Sequence, residues 1–267
     1  MTVDLPLPPA DLIARFADAR VRALVLLGSF ARGDAGPWSD LDVVRFVADD
    51  ADDAEPVTHL ITDRLVVVST VTPAQVARWF TEPEEAVKVI ASLRQGWALH
   101  DPAGYFAAIQ ARARAFAWDA TMQARADRWA SHQMVGWIEE VHKGLAGLRR
   151  ADIGRLLNAR FGLSWGLARV MLVQRGILLA GDNTFMDALA QELGPDAAWV
   201  ALHHQAFGVA GVDGTPPSLR DQVIAGLRLY ALTAHMFAPI LTPDDAPLIL
   251  RTAQQIKETV GEWERLG

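Results

Sequence analysis

The sequence predicts an α+β protein, a small mixed β-sheet with flanking helices followed by an all-α helical bundle. Three observations carry this expectation. Apolar runs of strand length, among them Ala23 to Leu27, the stretch ending at Val47, Val57 to Ile61 and Leu65 to Val71, all fall before Asp101. After Asp101-Pro102 these runs vanish, and Ala, Leu, Arg and Trp recur at helical spacing. Breaks at Gly176, Gly181-Asp182-Asn183, Gly194-Pro195, Gly208 to Pro217 and Pro239 to Pro243 then cut the remainder into helix-length pieces. The expected domains are residues 1–105 and 106–267.

In chain order, Pro9-Ala10-Asp11 opens a helix to about Arg20, with Leu12, Ile13 and Phe16 on its buried side. The first strand stops at Gly28-Ser29, a short helical piece follows, and a turn built from Gly33, Asp34, Gly36 and Pro37 leads into a strand carrying Asp40 and Asp42. Ala48 to Glu55, an acidic tip before Pro56, reads as a solvated hairpin loop. Two strands follow, and the continuous apolar run Leu65-Val66-Val67-Val68 predicts burial on both faces. Helices are expected over Pro73 to Phe80, Glu82 to Arg94 and Pro102 to Arg114, the last as a bridge. Long helices should then cover Asp119 to Arg149, Asp152 to Arg175, Asn183 to Leu193, Asp196 to Phe207, Leu219 to Phe237 and Asp244 to Trp263.

Composition excludes several classes. About half of the 267 residues are apolar, as in globular proteins, and there is no cysteine, so disulfides and thiolate chemistry are ruled out. No apolar run reaches the ~18 residues of a membrane span, and the N-terminal residues lack signal-peptide character, which predicts a soluble, cytoplasmic protein without a membrane partner. A net charge of −7 argues against a nucleic-acid partner and suits a cationic one.

The stretch from Leu26 to Phe46 carries chemistry. Residues two apart on a strand share a face, so Asp40 and Asp42 should lie side by side, roughly 6–7 Å apart at their α-carbons. Like charges at that spacing call for a divalent cation, and magnesium accepts one or two carboxylates with phosphate and water completing its shell. Gly28 lets a ligand approach the backbone, and the Ser29 hydroxyl with the following amides opens a helix N-terminus able to attract phosphate. Together they predict a nucleotide site.

The pattern Gly28-Ser29-Phe30-Ala31-Arg32-Gly33 running to Ser39-Asp40-Leu41-Asp42 resembles the nucleotidyltransferase superfamily that includes DNA polymerase beta. Its spelling is similar to that of the small-molecule and antibiotic nucleotidyltransferases, and a helical bundle after a small sheet resembles their two-domain, kanamycin-type architecture. The resemblance implies Mg²⁺ on Asp40 and Asp42, a nucleoside triphosphate (ATP expected) held by Gly28, Ser29, Arg32 and Ser39, and a small hydroxyl acceptor such as an aminoglycoside-like antibiotic. It further implies a third carboxylate on the third core strand, where this sequence has Val66, Val67 and Val68, with Asp63 the nearest acid. The metal is then held by Asp40 and Asp42 alone with water and substrate, or a carboxylate arrives from elsewhere in the chain.

In the helical half, Trp137 to Leu145 contains Glu139, Glu140 and Lys143 at three- and four-residue spacing, an ordinary surface ion-pair pattern. The resemblance implies a second reading: Glu139 or Glu140 takes the proton of the acceptor hydroxyl and Lys143 contacts the triphosphate, from the same chain or across a homodimer. The histidines lack metal-ligand spacing and read as structural, and the tryptophans mostly fill a core. Arg228 and His235, seven apart on one helix, resemble a HEPN ribonuclease signature but read as coincidence. Two alternatives remain: a protein-modifying transferase of the toxin–antitoxin kind, and a non-catalytic nucleotide binder.

Overall fold

The computed structural model describes residues 5–49, 55–209 and 214–266, with side chains to 261. Contacts divide the chain into two compact units, Met1–Asp119 with Leu178–Thr184, and Ala120–Ile177 with Phe185–Gly267.

In the first unit, strands Val21–Leu27 (β1), Leu41–Val47 (β2), Val57–Ile61 (β3), Arg64–Val71 (β4) and Trp97–His100 (β5) form a mixed sheet in the order β3-β4-β2-β1-β5. β2 and β4 run parallel, and the other neighbours are antiparallel. Its helices are Pro9–Phe16 (α1), Gly28–Arg32 (α2), Pro73–Trp79 (α3), Pro83–Gln95 (α4) and Tyr105–Ala115 (α5). Pro9 takes the first helical position, where a missing N–H costs nothing. α3 starts on a reciprocal cap: the Gln75 amide donates to Thr72 Oγ1 (3.3 Å) and the Thr72 amide to Gln75 Oε1 (2.9 Å).

Strand alternation sorts side chains to two faces. Leu24, Leu26, Leu41, Val43, Val66 and Val68 pack with Leu12, Phe16 and Phe30, each buried aliphatic side chain stabilising the fold by about 1.5–3 kcal/mol. On the opposite face Phe46 meets Trp79 and Phe106, at ring separations of 6.0 and 5.7 Å. Asp42 shares that face at one end of β2, so the apolar layer gives way there to polar groups.

The second unit contains Ala120–Gly136 (α6), Ile138–Arg150 (α7), Ile153–Gln174 (α8), Phe185–Leu193 (α9), Ala198–Phe207 (α10), Leu219–Phe237 (α11) and Ala246–Leu266 (α12). Leu163, Leu167 and Met171 of α8 and Leu227, Tyr230 and Ala234 of α11 are fully buried. Glycines set the distance between α7 and α8: a Cβ at Gly162 would stand 2.6 Å from Glu140 Cγ, and one at Gly166 2.3 Å from the Trp137 ring. Two buried polar tips are satisfied, Tyr230 Oη donating to the Met134 carbonyl (3.0 Å) and Trp199 Nε1 to Thr233 Oγ1 (2.9 Å).

The α+β class holds, with corrections. β5 was not expected. The single helix over Asp119 to Arg149 is two, α6 and α7, parted by a turn at Trp137. The helix expected from Pro102 begins at Tyr105, after Gly104 in a left-handed conformation. β4 is not buried on both faces: Val66 and Val68 are buried, whereas Leu65 is 49% exposed and Val67 partly open. Asp40 lies one residue before β2 rather than within it. Asp50, Asp52 and Asp53 of the acidic tip and residues 210–213 of the Gly208 to Pro217 loop lie outside the described residues. Among the described residues, no helix is long and apolar enough to cross a membrane.

Candidate active site

β1 ends at Leu27, and Gly28 turns the chain with φ +67°, a left-handed conformation that glycine adopts without steric cost. The same residue lies against Asp42, since a Cβ here would fall 1.9 Å from Asp42 Oδ2. Backbone conformation and close approach therefore both require glycine. α2 is a five-residue helix, too short for the substantial N-terminal dipole that the sequence suggests. It closes at Gly33, whose amide, with that of Asp34, donates to the Ser29 carbonyl (2.9 and 3.1 Å).

The approach to Asp40 is pinned by a turn. The Gly36 amide donates to Ser39 Oγ (2.9 Å), and Arg64 Nη1 donates to the carbonyls of Pro37 (2.6 Å) and Ser39 (3.1 Å). Asp40 and Asp42 flank the fully buried Leu41 and line one cleft of about 820 Å³, within the usual size of a small-molecule site. Among the described residues neither carboxylate accepts a hydrogen bond or pairs with a cation at ion-pair distance. Asp42 is held above the ordinary 3.8, chiefly by burial and then by the charge of Asp40, while Arg32 opposes and Asp182 adds to the rise.

Two carboxylates without histidine or cysteine form a hard oxygen donor set, which fits Mg²⁺. Among the described residues no group of three His, Cys, Asp or Glu side chains gathers for a metal. The pair therefore leaves most of a cation's coordination positions to phosphate and water, as magnesium prefers.

The cleft brings together Gly28, Ser29, Arg32, Ser39, Asp40 and Asp42. Two of these also have structural work. Ser39 Oγ closes the turn, and Arg32 donates from Nε to Asp34 Oδ2 (3.1 Å) and from Nη1 to the Ala180 carbonyl (2.8 Å). Sequence reasoning missed Lys88 and Ser92 of α4, the 96%-exposed Trp38, and the segment Ala180–Thr184, all of which line the same cleft. Lys88 Nζ approaches Glu85 Oε1 on the same helix at 3.5 Å. Val67 pairs in register with Asp42 and lines the cleft, so an apolar side chain occupies the place beside that carboxylate.

Glu139, Glu140 and Lys143 lie in the second unit. Lys143 Nζ bridges Glu140 Oε1 (2.8 Å) and Glu139 Oε1 (2.9 Å), which raises its pKa and lowers that of Glu139. The two acids differ: the Glu139 side chain is 76% exposed, whereas Glu140 is 17% exposed with its Oε2 buried and unpartnered. His203, stacked on Trp199 at 4.9 Å, is depressed from 6.5 to about 4 by burial and then by His204. Arg228 and His235 line one apolar cavity of about 430 Å³.

Residues 11–93 match the family described as "Nucleotidyltransferase domain". No curated protein matches the chain. A solved structure, a nucleotidyltransferase-like protein from Exiguobacterium sibiricum 255-15, aligns over 97% of this chain and 79% of its own, at 11% identity and a TM-score of 0.47. The matched segment runs from α1 into α4 and contains the Gly28 bend, Asp40, Asp42 and Lys88, and the match supports a nucleotidyl-transfer enzyme.

Proposed function

We propose that this protein transfers AMP from ATP to a hydroxyl of a small cationic molecule in the cytoplasm, with Mg²⁺ held by Asp40 and Asp42. The observation that carries this reading is the pair of carboxylates Asp40 and Asp42 in one cleft, Asp42 lying against a glycine that its proximity and a left-handed turn both require, with no cation at ion-pair distance from either acid among the described residues. Mg²⁺, held by Asp40 and Asp42, would supply positive charge that offsets the negative charge of the triphosphate as the leaving pyrophosphate departs. Ser29 offers its hydroxyl to a phosphate oxygen. Lys88 offers an ammonium whose exposed contact with Glu85 is weak enough to exchange for a phosphate. Arg32, held by Asp34 and Ala180, keeps a positive charge near Asp42.

The proton of the attacking hydroxyl needs an acceptor, worth about 10²–10⁴-fold in rate. Glu140 suits this role better than Glu139, because Gly162 seats its stem and its Oε2 has no other partner. Lys143, engaged by two carboxylates, is poorly suited to holding phosphate. Acids Asp34, Asp40, Asp42 and Asp182 on the cleft favour a cationic acceptor, and aminoglycoside-like antibiotics are the class to test first.

The test incubates the protein with Mg²⁺, labelled ATP, GTP or CTP, and a panel of aminoglycosides, lincosamides and proteins. Label from ATP on a small cationic compound, lost with EDTA and in Asp42→Ala, is the expected result. Label on protein alone would favour the protein-modifying alternative. Tight Mg-nucleotide binding without any transfer would overturn the enzymatic reading.

A further inference from the structure

Of the tryptophans whose side chains are described, Trp38 is the most exposed, at 96%, and the next, Trp165 at 49%, stacks on Phe185. An indole left in water forfeits the burial by which such a side chain ordinarily stabilises a fold, so its placement calls for another reason. The turn that carries it is held at both ends. The Gly36 amide donates to Ser39 Oγ (2.9 Å), and the Ser39 amide donates to the Gly36 carbonyl (3.1 Å). Arg64 Nη1 donates to the carbonyls of Pro37 and Ser39, the residues on either side of Trp38 (2.6 and 3.1 Å). Pro37 adds a fixed φ. The ring thus projects from an anchored backbone, and none of the ring, cation–π or hydrogen-bond contacts among the described residues engages it.

Trp38 lines the cleft of Asp40 and Asp42, and among the described residues it brings the only aromatic ring there. Two residues of chain span at most about 7 Å, so an indole on this turn can reach a base carried one ribose away from a phosphate at the two acids. The two substrates of the cleft make different demands. A cationic acceptor finds Asp34, Asp40, Asp42 and Asp182, whose full charges attract it more strongly than an aromatic face does. The flat face of a nucleobase has no other ring to lie on. We infer that Trp38 is the stacking platform for the nucleobase of the donor. The inference rests on the nucleotidyl-transfer reading of the cleft and deepens it. Stacking grows with the area of the base and reads no hydrogen-bonding edge, so this contact favours purines over pyrimidines without itself separating adenine from guanine.

The test is isothermal titration, with Mg²⁺ present, of wild type, Trp38→Ala and Trp38→Phe with three probes. These are the α,β-methylene analogues of ATP and CTP, and inorganic tripolyphosphate, which has the phosphates without a base. In Trp38→Ala the Kd of the ATP analogue should rise about 10-fold and that of the CTP analogue by less, with the Kd of tripolyphosphate and the Tm unchanged. Trp38→Phe keeps an aromatic face and should stay within about 3-fold of wild type. An unchanged Kd for the ATP analogue in Trp38→Ala overturns the inference, and a fall in acceptor affinity instead would assign the ring to the acceptor. Equal weakening of tripolyphosphate, or a lowered Tm, overturns it as well, by assigning Trp38 to the shape of the turn before Asp40. So does a Trp38→Phe protein as weak as Trp38→Ala. Wild type that binds none of the three probes would instead defeat the reading of the cleft itself.

Discussion

Gly28→Ala and Gly33→Ala separate backbone strain from damage to the proposed metal site. Both glycines have positive φ, +67° and +84°, so alanine at either costs about 1–2 kcal/mol. For a chain of this size that is a fall of about 2–8 °C in Tm. The two positions differ in their surroundings. A Cβ at Gly33 meets nothing within 4 Å, whereas one at Gly28 would lie 1.9 Å from Asp42 Oδ2 and must push it back by about 1.5 Å to reach the ordinary contact distance of 3.4 Å. Such a shift moves the carboxylate out of coordinating reach and should weaken Mn²⁺ binding by about 100-fold or more, the upper range for disturbing even a supporting group. Thermal unfolding and Mn²⁺ titration of both variants provide the comparison. Similar Tm losses, with Mn²⁺ affinity lost only in Gly28→Ala, are predicted. Wild-type Mn²⁺ affinity in Gly28→Ala would refute the assignment of Asp42.

Burial, aided by Asp40, raises the pKa of Asp42, so protons should displace the cation at a pH above the ordinary 3.8; Asp40→Asn should lower the midpoint of Mn²⁺ binding against pH even as it weakens affinity. The same shift means that the metal-free protein loses stability as pH rises from 3.8 through the raised value, because the folded state holds that proton more tightly than the unfolded chain. His203 acts in the opposite sense: depressed from 6.5 to about 4, it costs stability as pH falls through that window. The loss between pH 7 and 5 should be about 2 kcal/mol, measurable by urea unfolding and absent in His203→Phe. Arg32→Lys keeps the charge but not the fork that joins Asp34 to Ala180, so hydrogen exchange should accelerate at residues 178–184, with about 1–2 kcal/mol lost from stability.

The strand–bend–strand from Val21 to Val47 is legible in sequence because its information is local: an apolar run, a glycine at a required left-handed turn, and acids alternating with a buried leucine. β5 was not, since the four residues Trp97–His100 are too few to establish a period and owe their strand state to pairing with β1. The break between α6 and α7 was hidden because Gly136 is tolerated within a helical pattern; the turn falls where Trp137 packs over Gly166 of α8. The apolar run Leu65 to Val68 predicts burial at Val67 because a run does not reveal that one of its sides borders a cleft. Asp182 and Lys88 join the cleft through tertiary contacts alone, and in sequence Asp182 belongs to a helix break. Glu139 and Glu140 look equivalent in sequence, and it is burial of Glu140 against the glycine facing it on α8 that distinguishes them.

The central claim is that Asp40 and Asp42 together hold the cation that binds the triphosphate. A crystal structure with Mn²⁺ and a non-hydrolysable ATP analogue tests it directly through the anomalous signal of the metal. The prediction is a peak within about 2.1–2.3 Å of oxygens from both carboxylates, with the analogue's phosphates against Gly28 and Ser29. A peak coordinated by neither acid, or an analogue bound away from the Gly28 bend, would contradict it.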